Sequence, residues 1–199
     1  MISFDKILND VKDGKPLIIV DDQDREAEGD LVIAAQCANP YNLAFMLKHG
    51  RGLMCIPCLG KTLDDLNIPM MPTNKLDKFS TPFTVSVDSV LGTSGISVLD
   101  RLKTINVFLN PNSTPNDLSQ PGHMFPLRAK AGLLKARRGH TESSLEVVIA
   151  AGVSPVSVII EIMNDDGTVA KGQQLIDYSK IYNLNILSVQ DLYSQLYEK

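Results

Sequence analysis

Residues 156–163 (VSVIIEIM) form the most strand-like stretch of this chain, a run of apolar side chains broken by one carboxylate, Glu161. A carboxylate in such a run costs several kcal/mol unless it is paired, protonated or bound to a metal. Glu161 therefore either faces water from an edge position or marks a site. Two shorter apolar runs, 17–20 behind Pro16 and 31–37, read as buried strands, with 53–58, 83–87 and 186–189 as further strands. Helical spacing lies between them. Ser3 caps an amphipathic helix over 3–14 that turns Phe4, Ile7, Leu8 and Val11 to one face, and Asn39-Pro40 opens another that stops at Gly50. A short pattern surrounds Leu63 and Leu66, and a longer one covers 97–109. Another starts at Ser143 or Ser144 and ends at Ala151, and two more cover 172–182 and 188–197. Residues 164–167 (NDDG) are a hairpin-type turn, 110–122 a long connector, and 69–82 a surface loop. Strands and helices joined by single connections predict one layered α/β or α+β domain over residues 1–199.

With 199 residues, 44% hydrophobic and 21% charged, the chain has the balance of a compact globular domain and not of a disordered segment. No apolar run approaches the ~20 residues that cross a bilayer, and Asp5 makes the N-terminus acidic, so neither membrane insertion nor secretion is expected. Three cysteines, Cys37, Cys55 and Cys58, are too few and of the wrong parity for a disulfide scaffold, which points to a reducing, cytoplasmic setting. A net charge of −4 argues against a nucleic-acid partner. That average conceals a polarised chain. Residues 21–30 (DDQDREAEGD) hold six acids and one arginine, whereas 128–140 (RAKAGLLKARRGH) hold five Lys or Arg and no acid.

The acidic segment lies at a strand end, and in an extended chain Glu26, Glu28 and Asp30 point the same way. Such carboxylates repel unless a cation or a proton sits among them, so the segment is either a solvated loop or a divalent-metal site. In the basic segment, Arg137 and the Thr141 hydroxyl flank a helix start, where free N–H groups and the positive end of the dipole favour an anion such as phosphate. His140 beside them is either a structural histidine or part of that site. His123, closing the connector in Gln120-Pro121-Gly122-His123, is either a polar loop residue or a second functional histidine. Cys55 and Cys58 match C-x-x-C. The first cysteine sits within an apolar strand and no second ligand pair exists, so neither redox nor zinc chemistry is favoured.

Taken in order, the segments DDQDREAEGD, HGRGLMC, SGISVLDR, PGHMFPLRAKAG, RRGHTE and NDDG resemble the 3,4-dihydroxy-2-butanone 4-phosphate synthase family of riboflavin biosynthesis, over about residues 5–195. The resemblance implies a lyase, in its monofunctional form, that converts D-ribulose 5-phosphate to L-3,4-dihydroxy-2-butanone 4-phosphate and formate with Mg2+ or Mn2+. It implies Glu26 and His140 as metal ligands, and Arg25, Glu26, Asp30, Cys55, Arg137, Gly139, His140, Thr141 and Glu161 around the substrate. It also implies His123, Glu161 and Asp30 as catalytic groups. The fold it implies is α+β, a three-layer α/β/α sandwich with a mixed sheet, assembled as a homodimer with sites near the interface. The family often carries Asn where Ala27 stands and glycine where Leu133 stands, and Arg138 adds a charge that could assist phosphate capture. Another metal-dependent sugar-phosphate isomerase or epimerase would use the same groups, and formate release separates the two. A non-catalytic metal- or phosphate-binding module would bind without turnover.

Overall fold

Side-chain caps set where most of the helices begin. In this computed structural model, which describes residues 3–22, 25–73 and 81–198, Ser3, Ser97 and Ser188 each accept from the backbone N–H three residues on. Asn39 and Asn42 form a reciprocal capping box ahead of Pro40. The chain runs α1 (Phe4–Lys12), β1 (Leu17–Val20), β2 (Gly29–Ala34), α2 (Pro40–His49), β3 (Cys55–Cys58), α3 (Gly60–Asp65), β4 (Val87–Ser89) and α4 (Val98–Leu109). It continues as β5 (Leu118–Arg128), α5 (His140–Ala150), β6 (Ser157–Glu161), α6 (Gln173–Tyr182), β7 (Asn185–Ser188) and α7 (Val189–Tyr197). No helix among the described residues is long and apolar enough to cross a membrane.

All seven strands form one sheet in the order β4-β5-β3-β6-β2-β1-β7, with β1/β7 and β3/β5 parallel and the other pairs antiparallel. The two-residue period of the strands divides the core. Ile18, Leu31, Ile33, Ile56, Val158 and Ile160 face Leu43, Met46, Leu63, Ile105 and Leu175 from α2, α3, α4 and α6. Leu17, Ile19, Val32, Ala34, Cys55 and Ile159 face Ile7, Val11, Leu145, Val148, Val189 and Leu192 from α1, α5 and α7. Helices thus cover both faces, giving the three-layer α+β sandwich, and the central strands are apolar on both sides because neither side meets water.

Four boundaries depart from the sequence pattern. The strand expected over 83–87 is β4 only from Val87, running on to Ser89, while Phe83 and Thr84 make single bridges to Leu127 and Met70. The run over 31–37 is a strand only to Ala34, after beginning at Gly29, and ends in a 3₁₀ turn (Ala35–Cys37). The connector over 110–122 is shorter than its composition suggests, because Leu118 already pairs with Ser89 and the stretch around His123 belongs to β5. The helix placed at Ser143 or Ser144 begins at His140: the Ser143 hydroxyl donates to the Gly139 carbonyl at 2.9 Å and the Ser144 hydroxyl to the Thr141 carbonyl at 3.1 Å. Both serines act from inside the first turns and do not cap them. Of the loop over 69–82, residues 74–80 lie outside the described residues. Its two flanks pair with each other, Met71 N–H donating to Phe83 O at 3.0 Å and Val85 N–H to Pro69 O at 2.9 Å.

Candidate active site

The acidic segment is the tip of the β1–β2 hairpin, and Asp21 organises it. Asp21 Oδ1 accepts from Glu28 N–H at 2.9 Å, while Oδ2 accepts from Arg25 Nη1 at 2.5 Å and from Glu26 N–H at 3.3 Å. Arg25 also reaches Glu26 Oε1 at 2.6 Å. Lys171, just before α6, clamps the tip from outside through Glu26 O at 2.7 Å and the Glu28 carboxylate at 3.5 Å. The chain is not extended here. Ala27 holds a left-handed φ of 55°, which breaks the alternation and sends Glu28 toward Lys171, apart from Glu26 and Asp30. At Ala27 and at Leu133 (φ 51°) the backbone adopts the conformation that Asn and Gly tolerate best.

α5 aims its N-terminus at the same place from the helical layer. Gly139 is its N-cap and offers no side-chain hydrogen bond, so the first N–H groups of the helix remain available to a ligand. Arg137 is fixed from behind. Fully buried Glu142 accepts from Arg137 Nη1 at 2.6 Å with one oxygen and from Lys130 N–H at 3.1 Å with the other. A Cβ at Gly139 would collide with the Arg137 guanidinium, which explains the glycine. Arg138 turns the other way, onto Gln190 at 2.6 Å and over the Tyr193 ring at 3.9 Å, so it belongs to the α5/α7 surface and not to an anion site.

Between hairpin and helix lies a cavity of ≈ 180 Å³, lined by Arg25, Glu26, Asp30, Cys55, Arg137, His140, Thr141 and Glu161, with Thr81, Phe83, Leu127 and Ile159 as walls. Antiparallel pairing sets Asp30 directly opposite Glu161, on the α5 side of the sheet. Facing like charges destabilise a ladder. Burial first, and then Glu161, push the Asp30 carboxyl well above the usual range, so it favours its protonated form. Glu161 is not an edge residue, since β6 is the central strand of the sheet. Its Oε2 accepts from Leu53 N–H at 2.7 Å, and Gly52 lacks the Cβ that would strike this carboxylate. Burial likewise raises Glu26, against the pull of Arg25 and His140, and lowers His140 toward the neutral imidazole. The Cys55 thiol is driven well above its normal value by burial, Glu161 and Asp30, and burial raises that of Cys58. Neither is a reactive thiolate, and Cys55 is a wall of the cavity.

One ligand atom each from Asp21, Glu26 and His140 lies within 4.8 Å of the other two. Two atoms nearby have no hydrogen-bond partner among the described residues, His140 Nε2 and Asp30 Oδ1, both buried. His140 Nδ1 is 3.9 Å from Asp30 Oδ2, too far for a hydrogen bond. A neutral imidazole with an unused buried nitrogen beside two carboxylates is the donor set of a divalent cation, and an orphaned buried polar atom is costly without one. Asp21 already uses its lone pairs on Arg25, Glu26 and Glu28, which leaves Glu26 and His140 as the freer ligands. Asp21 and Glu142 carry no distinguishing sequence signal beyond their place in the acidic segment and in RRGHTE.

His123 does not join the cavity lining. Its ring turns toward the β4 edge, where Nδ1 lies 2.6 Å from Asp88 Oδ2. His49, which carried no functional signal, packs in an aromatic cluster with its Nδ1 2.8 Å from the Tyr182 hydroxyl.

Residues 5–195 match the family model of 3,4-dihydroxy-2-butanone 4-phosphate synthase. The chain is 46% identical over 195 residues to the riboflavin biosynthesis protein RibBA of Synechocystis sp., covering 96% of this chain and 35% of the relative. It is 45% identical over 188 residues to a 3,4-dihydroxy-2-butanone 4-phosphate synthase of Neisseria meningitidis serogroup B, covering 94% of this chain and 52% of the relative. It thus spans between about a third and a half of these curated relatives. Among solved structures, a 3,4-dihydroxy-2-butanone 4-phosphate synthase in complex with two magnesium ions superposes with a TM-score of 0.93 at 33% identity, covering 100% of this chain and 98% of the other. The corresponding enzyme of Candida albicans gives 0.89 at 36% identity, covering 98% of each chain.

Proposed function

The chain belongs to the 3,4-dihydroxy-2-butanone 4-phosphate synthase family, and from that premise we propose that residues 1–199 act as one catalytic domain converting D-ribulose 5-phosphate to L-3,4-dihydroxy-2-butanone 4-phosphate and formate. The observation that carries this reading is the convergence of Asp21, Glu26 and His140 within 4.8 Å, beside the facing carboxyls of Asp30 and Glu161. Glu26 and His140 would hold Mg2+ or Mn2+, with water and substrate oxygens completing the shell. Such an ion supplies Lewis-acid polarisation of carbonyl and hydroxyl oxygens.

The protein's own groups divide the remaining work. Arg137, fixed by Glu142, and the first N–H groups of α5 hold the phosphate, with Gly139 leaving room and the Thr141 hydroxyl at the rim. Arg25 holds the hairpin tip and Glu26 against the substrate. Asp30 and Glu161 stand opposed, one pushed toward its neutral form and the other held by Leu53 N–H. Two facing carboxyls in unlike settings divide acid from base work. Glu161 takes the C3 proton as the enediol forms, and protonated Asp30 donates where a hydroxyl leaves. Cys55, Leu127 and Ile159 exclude water from the reacting carbons.

A homodimer fits this arrangement. Val90, Leu91, Ile96 and Leu99 are 52, 76, 52 and 59% exposed, and all lie on or beside the β4–α4 segment next to the Asp88–His123 pair. Large apolar side chains clustered on one face indicate a partner surface. A two-fold pairing through it would carry His123 of one copy to the cavity of the other, completing a catalytic set that one chain leaves without it. A cytoplasmic setting accords with the three free cysteines.

The test is incubation with ribulose 5-phosphate and Mg2+, with and without EDTA, following formate. Metal-dependent formate that disappears in His140→Ala is the expected result. Turnover without formate would move the chain to the isomerase or epimerase reading, and ligand binding without turnover to the non-catalytic one.

A further inference from the structure

Outside the cavity, the titratable pair most deliberately built into the fold is Asp88 with His123. Along β4, Val87 pairs with Met124 while the next residue, Asp88, pairs with Ser119, so residues 120–123 of β5 bulge out across a single step of the ladder. Bulges re-aim side chains, and this one turns His123 into the grip of a single carboxylate. His123 N–H donates to Asp88 Oδ1 at 2.9 Å, and the ring Nδ1 lies 2.6 Å from Oδ2. Two glycines make room. A Cβ at Gly122 would strike the Val87 backbone, and one at Gly95, whose φ is +79°, would strike the Asp88 carboxylate and come within 2.6 Å of His123 Nδ1. The Asp88 side chain is 13% exposed and that of His123 47%, so the carboxylate is sheltered while the imidazole presents its far edge outward. Arg101 of α4, half-buried and bonded to Ile96 O at 3.0 Å, is the cation facing Asp88.

We propose that Asp88 is a positioning residue for His123: by accepting the Nδ1 proton it fixes the ring orientation and the tautomer that leaves Nε2 free to accept a proton at the reacting centre. This rests on the reading above that His123 serves the reaction. A carboxylate oxygen can only accept, so Nδ1 must carry hydrogen, and the backbone bond from the same residue denies the carboxylate freedom to swing away.

The test uses the full chain with Mg2+ and ribulose 5-phosphate, comparing Asp88→Asn, Asp88→Glu, His123→Ala and the Asp88→Asn/His123→Ala double variant. Asparagine can donate to Nδ1 and so favours the opposite tautomer. It should lower kcat about 100-fold or more while KM moves by less than about threefold, and glutamate should restore much of the loss. The double variant should match His123→Ala, because the two residues act as one unit. Nitrogen NMR of the His123 ring should show Nδ1–H in the parent protein and its loss in Asp88→Asn. Asp88→Asn with nearly parental kcat, full activity in His123→Ala, or an unchanged tautomer would each overturn the proposal. A parent protein that releases no formate would refute the reaction reading alone, and the ring tautomer would then decide the role of Asp88.

Discussion

Replacing Asp30 with asparagine should stabilise the metal-free protein at neutral pH while disabling its chemistry. Asp30 is 3% exposed, faces Glu161 across the ladder and leaves Oδ1 without a partner among the described residues. Directly opposed residues of an antiparallel pair hold their Cβ atoms about 5 Å apart. Two carboxylates at about that separation repel by roughly 3 kcal/mol at an effective dielectric constant near ~20. Burial works in the same direction, raising the carboxyl well above its ordinary value. Because the folded-state value exceeds the unfolded one, the folded chain binds the extra proton above about pH 4, and stability falls as pH rises through the raised value. Asparagine keeps the volume and removes the charge. Asp30→Asn should therefore gain about 1–3 kcal/mol at about pH 8 in EDTA, a rise in Tm of roughly 2–10 °C for a chain of this size. The gain should vanish toward about pH 3, below the ordinary carboxyl value, where Asp30 is protonated in both states. Urea and thermal unfolding across that range read the difference directly, and formate release should fall about 100-fold or more. A variant no more stable than the parent at the alkaline end, or a gain that does not change with pH, would refute the repulsion argument.

Gly139→Ala should raise KM for the phosphorylated substrate about tenfold or more with a smaller change in kcat, because its Cβ displaces the Arg137 guanidinium; steady-state kinetics separate the two. Glu142→Gln leaves Arg137 without its buried counter-ion and should lower unfolding stability by about 3 kcal/mol, read from the urea midpoint. Ala27→Asn relieves a left-handed alanine at φ 55° and should gain about 0.5 kcal/mol in the same assay. Cys58→Ser should leave activity intact, and Cys55 and Cys58 should resist alkylation at neutral pH, since burial raises both thiols; labelling of the folded protein followed by mass spectrometry checks this.

Much of the secondary structure was legible because it depends on neighbours in the chain. The Asn39-Pro40 start, the serine caps and the apolar runs over 17–20 and 156–163 carry their own signals, and the elements lie where those signals stand. The errors occur where a long-range partner overrides local composition. Leu118 to Gly122 reads as the end of a connector by its Pro and Gly, yet pairing of Leu118 and Ser119 with β4 draws it into β5. Ser143 reads as a cap, yet the helix starts one turn earlier, where the cavity meets the free N–H groups of His140 and Thr141.

The sequence alone set the inventory of chemistry: an acidic hairpin tip, a basic helix start, one carboxylate inside an apolar strand, and histidines beside glycines. These are properties of residue type and short-range spacing, which the chain carries before it folds. Only the tertiary structure decided who meets whom. Register across β2 and β6 opposed Asp30 to Glu161, the position of α5 over the sheet brought His140 to Glu26, and a bulge between β4 and β5 turned His123 away from the cavity toward Asp88. Those outcomes depend on which face each strand presents and how helices pack across it, and pairings between residues a hundred positions apart leave no local trace in the chain.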